Sequence, residues 1–191
     1  GVNKMTAVAK KGKNSFTDAI ELKYTKYNLN FKDIDEIAIN AGFNCEFLDK
    51  SGRLWLPDQV YKKSHYGSID GRAEMIKKDL ILKGIGDLEP VYNYHVEGLT
   101  EYRVDIPDGT YNVTLLFADG KALAAGERVF DVSINGKKVL EDFDMLAQNG
   151  FGHGLETTFE INVIDSNGLQ IDFQPKQGSP ILSGVLIRDK E

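Results

Sequence analysis

The sequence predicts an all-β fold, an antiparallel β-sandwich, because short segments of alternating apolar and polar residues are separated by turn signals. The clearest segment is residues 128–144, where apolar residues alternate up to Asn135-Gly136 and resume after it. An Asn-Gly pair supplies the two positive-φ positions of a type I′ turn. We therefore expect a hairpin here, with one face in the core.

A second hairpin is predicted upstream of the first. Apolar residues alternate over residues 102–106, Asp108-Gly109 makes a turn, and the alternation resumes over residues 111–117. Later strands are predicted at residues 157–163, 169–173 and 181–188.

The sequence pattern divides the chain into three parts. Residues 1–25 alternate in two short runs and predict a hairpin, which two strands alone cannot stabilise in water. Residues 26–35 have no clear period and indicate a linker. The main domain occupies residues 36–191. Within it, residues 44–91 are irregular, which predicts long loops with a helical turn around residues 72–78.

The composition excludes two classes of partner. Acidic residues outnumber basic ones 29 to 23, for a formal net charge of −6, whereas binding to nucleic-acid phosphates requires clustered Lys and Arg. No apolar run approaches the roughly 20 residues that span a bilayer. We expect neither nucleic-acid binding nor membrane insertion.

Aromatic side chains in the irregular half of the chain are the candidates for a binding site. Sugar-binding sandwiches place the apolar face of a pyranose on an aromatic ring and fix its hydroxyls with polar side chains. Such rings are expected in loops, where core packing does not require them. The candidate ligand-binding residues are Trp55, Tyr66, Tyr92, Tyr94, His95 and Arg72.

Several of these candidates also have a structural interpretation. Trp55 and Tyr92 are alternatively partly buried caps on the end of the sandwich, and His95 is alternatively a hydrogen-bonded loop histidine. Arg72 is alternatively the partner of an acidic neighbour.

Catalytic and metal-binding alternatives rest on a few carboxylates. Glu141, Asp142 and Asp144 form a cluster, and glycoside hydrolysis uses two carboxylates, but these lie at a strand end where solvated acids are common. Asp119 and Asp165 are candidates for a structural calcium site, although no dense oxygen-ligand loop surrounds them. We expect no catalytic residue, and no cofactor beyond that candidate calcium ion.

A family resemblance is carried by several landmarks in a fixed order. They are Asn40-Ala41-Gly42, Gly52–Asp58, Val91-Tyr92, Gly109–Val113, Arg128–Gly136, Asp142–Asp144 and Pro180–Ile187. This series resembles the malectin domain. The resemblance implies a jelly-roll-like β-sandwich with ligand contacts from loop aromatics, which fall here on Trp55, on Tyr66, and on Tyr94 or His95. The family also uses an aspartate, and the stretch before Pro180 contains none.

Residues 7–13 and 17–22 resemble the final hairpin of the immunoglobulin-like domains of family 2 glycoside hydrolases. Together, the resemblances imply a non-catalytic carbohydrate-binding module of a larger glycoside hydrolase of β-galactosidase type, secreted or periplasmic. Its partners would be carbohydrate and the catalytic domain of the same chain, and residues 1–25 would end a truncated immunoglobulin-like domain. The alternatives are a structural accessory domain that binds no sugar, and an autonomous hydrolase.

Overall fold

The computed structural model describes residues 2–23, 35–77, 80, 82–122 and 124–190. It divides into two compact units, Gly1–Asn30 and Phe31–Glu191, and each is described by itself. Most of the predicted linker, residues 26–34, lies outside the described residues.

The first unit contains an antiparallel hairpin, as the alternation of residues 1–25 predicts. Strand β1 (Val2–Lys11) pairs with β2 (Asn14–Lys23), and Gly12 takes a φ of 63° in the turn between them. The side chains of Met5, Phe16 and Ile20 are each more than half exposed. The register places Met5 opposite Ile20, so these apolar side chains belong to one uncovered face of the hairpin.

The second unit is an antiparallel β-sandwich, which confirms the predicted fold class. Its elements are β3 (Glu36–Asn40), β4 (Phe47–Leu48), β5 (Leu54–Pro57), β6 (Tyr66–Met75), α1 (Glu89–Tyr92), β7 (Tyr94–Val104), β8 (Gly109–Ala118), β9 (Val129–Ile134), β10 (Lys137–Phe143), α2 (Met145–Asn149), β11 (Gly154–Val163), β12 (Leu169–Gln177), β13 (Ile181–Leu182) and β14 (Gly184–Asp189). In the described part of the chain, neither these helices nor any other helix is long and apolar enough to cross a membrane.

Two sheets of six strands form the sandwich. Sheet I has the order β10-β9-β12-β7-β13, and β6 also pairs with β7. Sheet II has the order β11-β8-β14-β3-β5-β4. The described pairs are antiparallel except for β3 and β5. The first and last strands of the sandwich, β3 and β14, are neighbours in sheet II.

One of the two hairpins predicted within the main domain is confirmed and the other is wrong. Strands β9 and β10 pair across Asn135 and Gly136, whose φ angles of 47° and 76° fit the expected turn. Strands β7 and β8 lie in different sheets, so residues 105–108 form a connection between sheets. Pro107 has no N–H to donate to a ladder, and its carbonyl accepts a hydrogen bond from the Tyr111 hydroxyl at 3.0 Å. Alternation identifies the buried face of a strand, not its partner.

The prediction of a helical turn around residues 72–78 is wrong. In the described part of this range, residues 72–75 belong to strand β6. The pairing of β6 with β7 shifts by one residue between Ile69 and Asp70. Asp70 and Gly71 take φ angles of 59° and 80° at this bulge. The bulge interrupts the period-2 alternation of apolar and polar residues. The sequence analysis therefore did not predict this ten-residue strand.

The central strands of sheet II, β8, β14, β3 and β5, are buried on both faces. The inner face of the sheet joins the main core between the sheets, with Ile39, Leu115 and Val185 among the residues that have no exposed surface. A second cluster covers the outer face. It contains Ala38, Trp55, Ile76, Leu82, Val91, Tyr92, Leu116, Ala118 and Leu186. The segment between β6 and β7 contributes part of this cluster, so the irregular half of the chain forms core structure.

We predict that Trp55→Ala lowers the free energy of unfolding by about 3–5 kcal/mol, because the ring has no exposed surface and its removal leaves a cavity. Leu48→Ala, at an exposed position in the adjacent strand β4, should change it by less than about 0.5 kcal/mol. Urea denaturation of the two variants tests this. Equal denaturation midpoints would contradict the conclusion that Trp55 stabilises the domain as part of the second cluster.

Candidate functional site

Two of the aromatic residues predicted to contact a ligand lie in the second cluster, on the outer face of sheet II. The Trp55 side chain is 0% exposed, and its Nε1 donates a hydrogen bond to Asp49 Oδ2 at 3.1 Å. Tyr92 is also fully buried, and its hydroxyl donates to Glu156 Oε1 at 2.9 Å. A ring without exposed surface cannot stack on a sugar. The prediction of an exposed platform at Trp55 and Tyr92 is therefore wrong, and both are fully buried residues of the second cluster, not partly buried caps on the end of the sandwich.

Tyr66 is also a core residue. Its side chain is buried, and its hydroxyl donates to the carbonyl of Pro57 at 2.8 Å. Burial raises the pKa of Tyr66 to about 12, with a further contribution from the Asp58 carboxylate. The predicted stacking role of Tyr66 is wrong for the same reason as that of Trp55.

Tyr94 and Arg72 remain at the surface, on neighbouring strands of sheet I. Tyr94 is half-buried and packs against Phe43, with the ring centroids 4.5 Å apart and the rings tilted by 34°. The Arg72 side chain is 72% exposed, and the register of β6 and β7 places it opposite Glu97. These two are the predicted contact residues that a ligand can reach.

A cleft of about 220 Å³ is lined by Gly42, Phe43, Asn44, Asp58, Arg72 and Val96, among others. The Asp58 carboxylate accepts hydrogen bonds from the Tyr102 hydroxyl at 2.7 Å and from the Gly42 N–H at 3.0 Å. Burial raises the pKa of Asp58. The cleft therefore combines one aromatic ring, one exposed guanidinium and one fixed carboxylate.

Gly42 lets the chain approach β7 closely at this cleft. Its φ is 83°, a conformation that other residues rarely adopt, and an added Cβ would clash with the backbone of His95. The two preceding residues are also fixed. Asn40 Nδ2 donates to the carbonyl of Pro90 at 3.2 Å, and the N–H of Ala41 donates to the carbonyl of Ser183 at 2.9 Å. These contacts give a physical role to the Asn40-Ala41-Gly42 landmark.

A network of ion pairs adjoins the cleft at Arg72. Glu97 pairs with Lys121, and with Arg128 Nη2 at 3.0 Å. Glu74 pairs with Arg72 Nε at 2.7 Å and with Lys121 Nζ at 3.3 Å. Burial raises the pKa of Glu97, but the hydrogen bonds from Lys121 and Arg128 outweigh it and lower that pKa to about 2. We call Arg72, Glu74, Glu97, Lys121, Arg128 and Asp119 the ion-pair network.

Arg128 is the buried centre of this network. Its Nε donates to Asp119 Oδ2 at 2.6 Å, and its Nη1 donates to the carbonyl of Ser179. Ser179 belongs to the stretch before Pro180 in which the family aspartate is missing. Sequence reasoning missed Phe43, Glu97, Lys121 and Arg128 as site residues. The one available signal was that Glu97 is two residues from His95, on the same face of a strand.

His95 lies close to the charges of the network and is 1% exposed, so its predicted contact with a ligand is wrong. Neither imidazole nitrogen has a hydrogen-bond partner among the described residues. Burial lowers the pKa of His95 to about 4, although Asp119 and Glu97 act in the opposite direction. The imidazole is therefore neutral at pH 7.

The carboxylates considered for catalysis have structural partners. Glu141 pairs with Lys138 at 2.9 Å, and Asp142 pairs with Lys176. Asp144 Oδ1 accepts from the N–H of Ala147 at 3.0 Å and caps α2. Within the described ranges, no group of three or more His, Cys, Asp or Glu side chains is placed to hold a metal ion.

Comparison with known proteins places these features in context. Residues 36–185 match the family model described as Malectin domain. Receptor-like protein 4 of Arabidopsis thaliana is 35% identical over 80 residues, which are 40% of this chain and 13% of that protein.

Two solved structures illustrate the fold similarity. A beta-glucuronidase of Bacteroides uniformis has a TM-score of 0.81 and 26% identity, covering 100% of this chain and 23% of that one. The ANXUR1 extracellular domain of Arabidopsis thaliana has a TM-score of 0.66 and 16% identity, covering 81% and 48%. The chain spans less than half of the length of each of these relatives.

We predict that stability falls as the pH is lowered from about 6.5 to about 4. The folded-state pKa of His95 lies below its unfolded value, so the unfolded chain binds the extra proton in this window and gains about 3 kcal/mol relative to the folded chain. His95→Leu should remove this slope, because leucine is apolar and the imidazole nitrogens have no hydrogen bond in the described structure to lose.

The measurement is urea denaturation of both proteins between pH 7 and pH 4. Glu97 and Asp49, whose pKa values are lowered to about 2, lose their contributions mainly below pH 4.5 and affect both proteins alike. Identical slopes between pH 6.5 and 4.5 would show that His95 is not buried as a neutral group.

Proposed function

Because the chain belongs to the malectin domain family, we propose that it is a non-catalytic carbohydrate-binding module that recognises its glycan at the cleft beside Phe43. The observation that carries this proposal is the cleft lined by the Phe43 ring, against which Tyr94 packs, by the exposed Arg72 guanidinium and by the fixed Asp58 carboxylate. It supplies an apolar ring, a donor and an acceptor, which are the groups that a sugar requires.

The proposed contacts follow from these geometries. The exposed part of the Phe43 ring, which packs against Tyr94, takes the apolar face of a pyranose. Arg72 donates to hydroxyl or ring oxygens, and Asp58 accepts from hydroxyl groups with the lone pairs that Tyr102 and Gly42 leave available. A shallow surface with few such contacts binds weakly, so millimolar ligand concentrations are appropriate.

We further propose that the module is part of a larger secreted glycoside hydrolase and adjoins its catalytic domain. The similarity to the Bacteroides uniformis beta-glucuronidase extends over the whole chain, including the hairpin, and supports this context. The sequence resemblance suggested a β-galactosidase type, whereas this similar enzyme is a beta-glucuronidase. We therefore propose only that the parent enzyme acts on a glycoside, without naming its sugar.

The hairpin also supports a larger chain. A two-stranded hairpin is marginal in water, and the exposed apolar side chains of Met5, Phe16 and Ile20 require a covering surface. The remainder of an immunoglobulin-like domain, whose sheet β1 and β2 would complete, supplies such a surface. Tethering a binding module to the enzyme raises the local concentration of enzyme on its glycan.

The second candidate function is a structural accessory domain that binds no sugar. The burial of Trp55, Tyr66 and Tyr92 favours it, since three of the expected ring contacts are core residues. The pairing of Lys121 and Arg128 with Glu97 also favours it, because these cations already have partners.

An NMR titration tests the proposed function. The ligands are galactosides, glucosides and plant oligosaccharides, at concentrations up to millimolar. We expect saturable shifts in the wild type and at least tenfold weaker binding in Tyr94→Ala and in Arg72→Ala. Phe151→Ala is the matched control, because it removes an exposed aromatic ring that neither lines the cleft nor makes the ring contact with Phe43 that Tyr94 makes.

Each outcome separates the two candidates. Binding that survives in Tyr94→Ala and Arg72→Ala would exclude the cleft as its site. A folded wild-type protein without shifts across the panel would support the accessory domain instead.

A further inference from the structure

We propose that the polar groove at the turn between β9 and β10 is a second binding site, which takes a neutral saccharide unit. The groove has a volume of about 710 Å³, inside the roughly 300–1,000 Å³ range of small-molecule sites. It lies between β7, the β9–β10 turn, the connection from β11 to β12, and β12 itself. The lining residues used below are Arg103, Asn135, Asn162, Asp165, Gln170 and Asp172.

The groove is separate from the cleft. None of its lining residues lines the cleft. On β7, Val96 lines the cleft and Arg103 lines the groove, seven residues further along the strand. This proposal therefore concerns a different set of residues and does not rest on the function proposed for the cleft.

Hydrogen bonds to the backbone fix one wall of the groove. Asn135 Oδ1 accepts from the N–H of Gln170 at 2.8 Å, and Asn135 Nδ2 donates to the carbonyl of Gly168 at 3.2 Å. The N–H of Asn135 donates to the carbonyl of Gln170 at 2.9 Å. Three bonds thus hold the β9–β10 turn against the start of β12, so the wall is formed before a ligand arrives.

The neighbouring side chains are held in an ordered array. The register places Gln170 opposite Arg103, and Gln170 Nε2 donates to Asp172 Oδ1 at 2.9 Å. The Arg103 guanidinium pairs with Glu101 and lies 5.5 Å from the centroid of the Tyr61 ring. On the other side, Asn162 Oδ1 accepts from the Thr110 hydroxyl at 2.9 Å, which orients its amide.

The chemistry of this lining selects the ligand class. Two carboxylates, Asp165 and Asp172, oppose the single guanidinium of Arg103, which disfavours phosphate and sulfate. Ile164 is the apolar side chain of the lining, so an apolar ligand has little to contact. Neighbouring amides and carboxylates offer both hydrogen-bond donors and acceptors. They match the hydroxyl groups of a sugar, because a hydroxyl both donates and accepts hydrogen bonds.

The test is a ¹⁵N-resolved NMR titration of the protein with two kinds of neutral oligosaccharide, galacto-oligosaccharides and cello-oligosaccharides, at concentrations up to tens of millimolar. We expect saturable shifts of the backbone amides of Asn135, Asn162 and Gln170. Asp172→Ala should weaken these shifts at least tenfold. Gln174→Ala is the matched control, because Gln174 is an exposed residue of the same strand that does not line the groove.

Two results would overturn the proposal. One is the absence of shifts in the groove at the highest concentration while the spectrum remains that of the folded protein. The other is a shift of the same amides by Ca²⁺ or by inorganic phosphate but not by saccharide, which would assign the groove to an ion. Tyr94→Ala separates the sites, because it should weaken the shifts near Phe43 and leave those at Asn135 unchanged. A wild-type protein that shifts at Asn135 but not near Phe43 would count against only the function proposed for the cleft.

Discussion

The burial of the central strands of sheet II on both faces is the constraint on which the rest of the structure depends. The main core needs only one face of this sheet, yet β8 is buried without interruption from Val113 to Ala118. The apolar residues of the outer face must therefore be covered as well, and the segment between β6 and β7 covers them. Pro90 and Tyr92 fasten this segment through hydrogen bonds with Asn40 and Glu156.

That covering segment decides which aromatic side chains remain available to a ligand. Trp55 and Tyr92 fill the space between the segment and the sheet, so they contribute to stability and have no exposed surface. The rings at the surface belong instead to Phe43, which follows Gly42 after the end of β3, and to Tyr94, which begins β7. Recognition in this domain is therefore confined to positions beside the second core.

The strands and their buried faces could be predicted from the sequence, but their partners could not. Asn135-Gly136 predicts a hairpin because the turn chemistry is local. The alternation over residues 102–106 and 111–117 is equally clear, yet it is consistent with a hairpin and with a connection between sheets. The run of apolar residues from Leu115 to Ala118 was a sign of two-sided burial. It implied that something must cover the outer face, without identifying the cover.

The candidate site was predictable only in part, for a physical reason. Arg72 and Tyr94 were identified because charged and aromatic residues in an irregular region suggest a surface. Their neighbours Phe43, Glu97 and Lys121 come from a loop, a strand and a connection far apart in the chain, and no linear pattern joins them. The bulge at Asp70 determines which side chains of β6 face Glu97, and its effect appears only when the two strands are paired.

The pairing of β3 with β14 has a consequence for how the domain is made. Glu36 and Arg188, which form a hydrogen bond across these strands, are separated by 152 residues. The central strands of sheet II therefore cannot be completed until β14 has been synthesised, and the apolar faces of β3 and β8 remain open until that strand arrives. Contacts of such large sequence separation slow folding and prolong the exposure of unpaired strand edges. The sandwich thus folds as a late, cooperative event that its final strand controls.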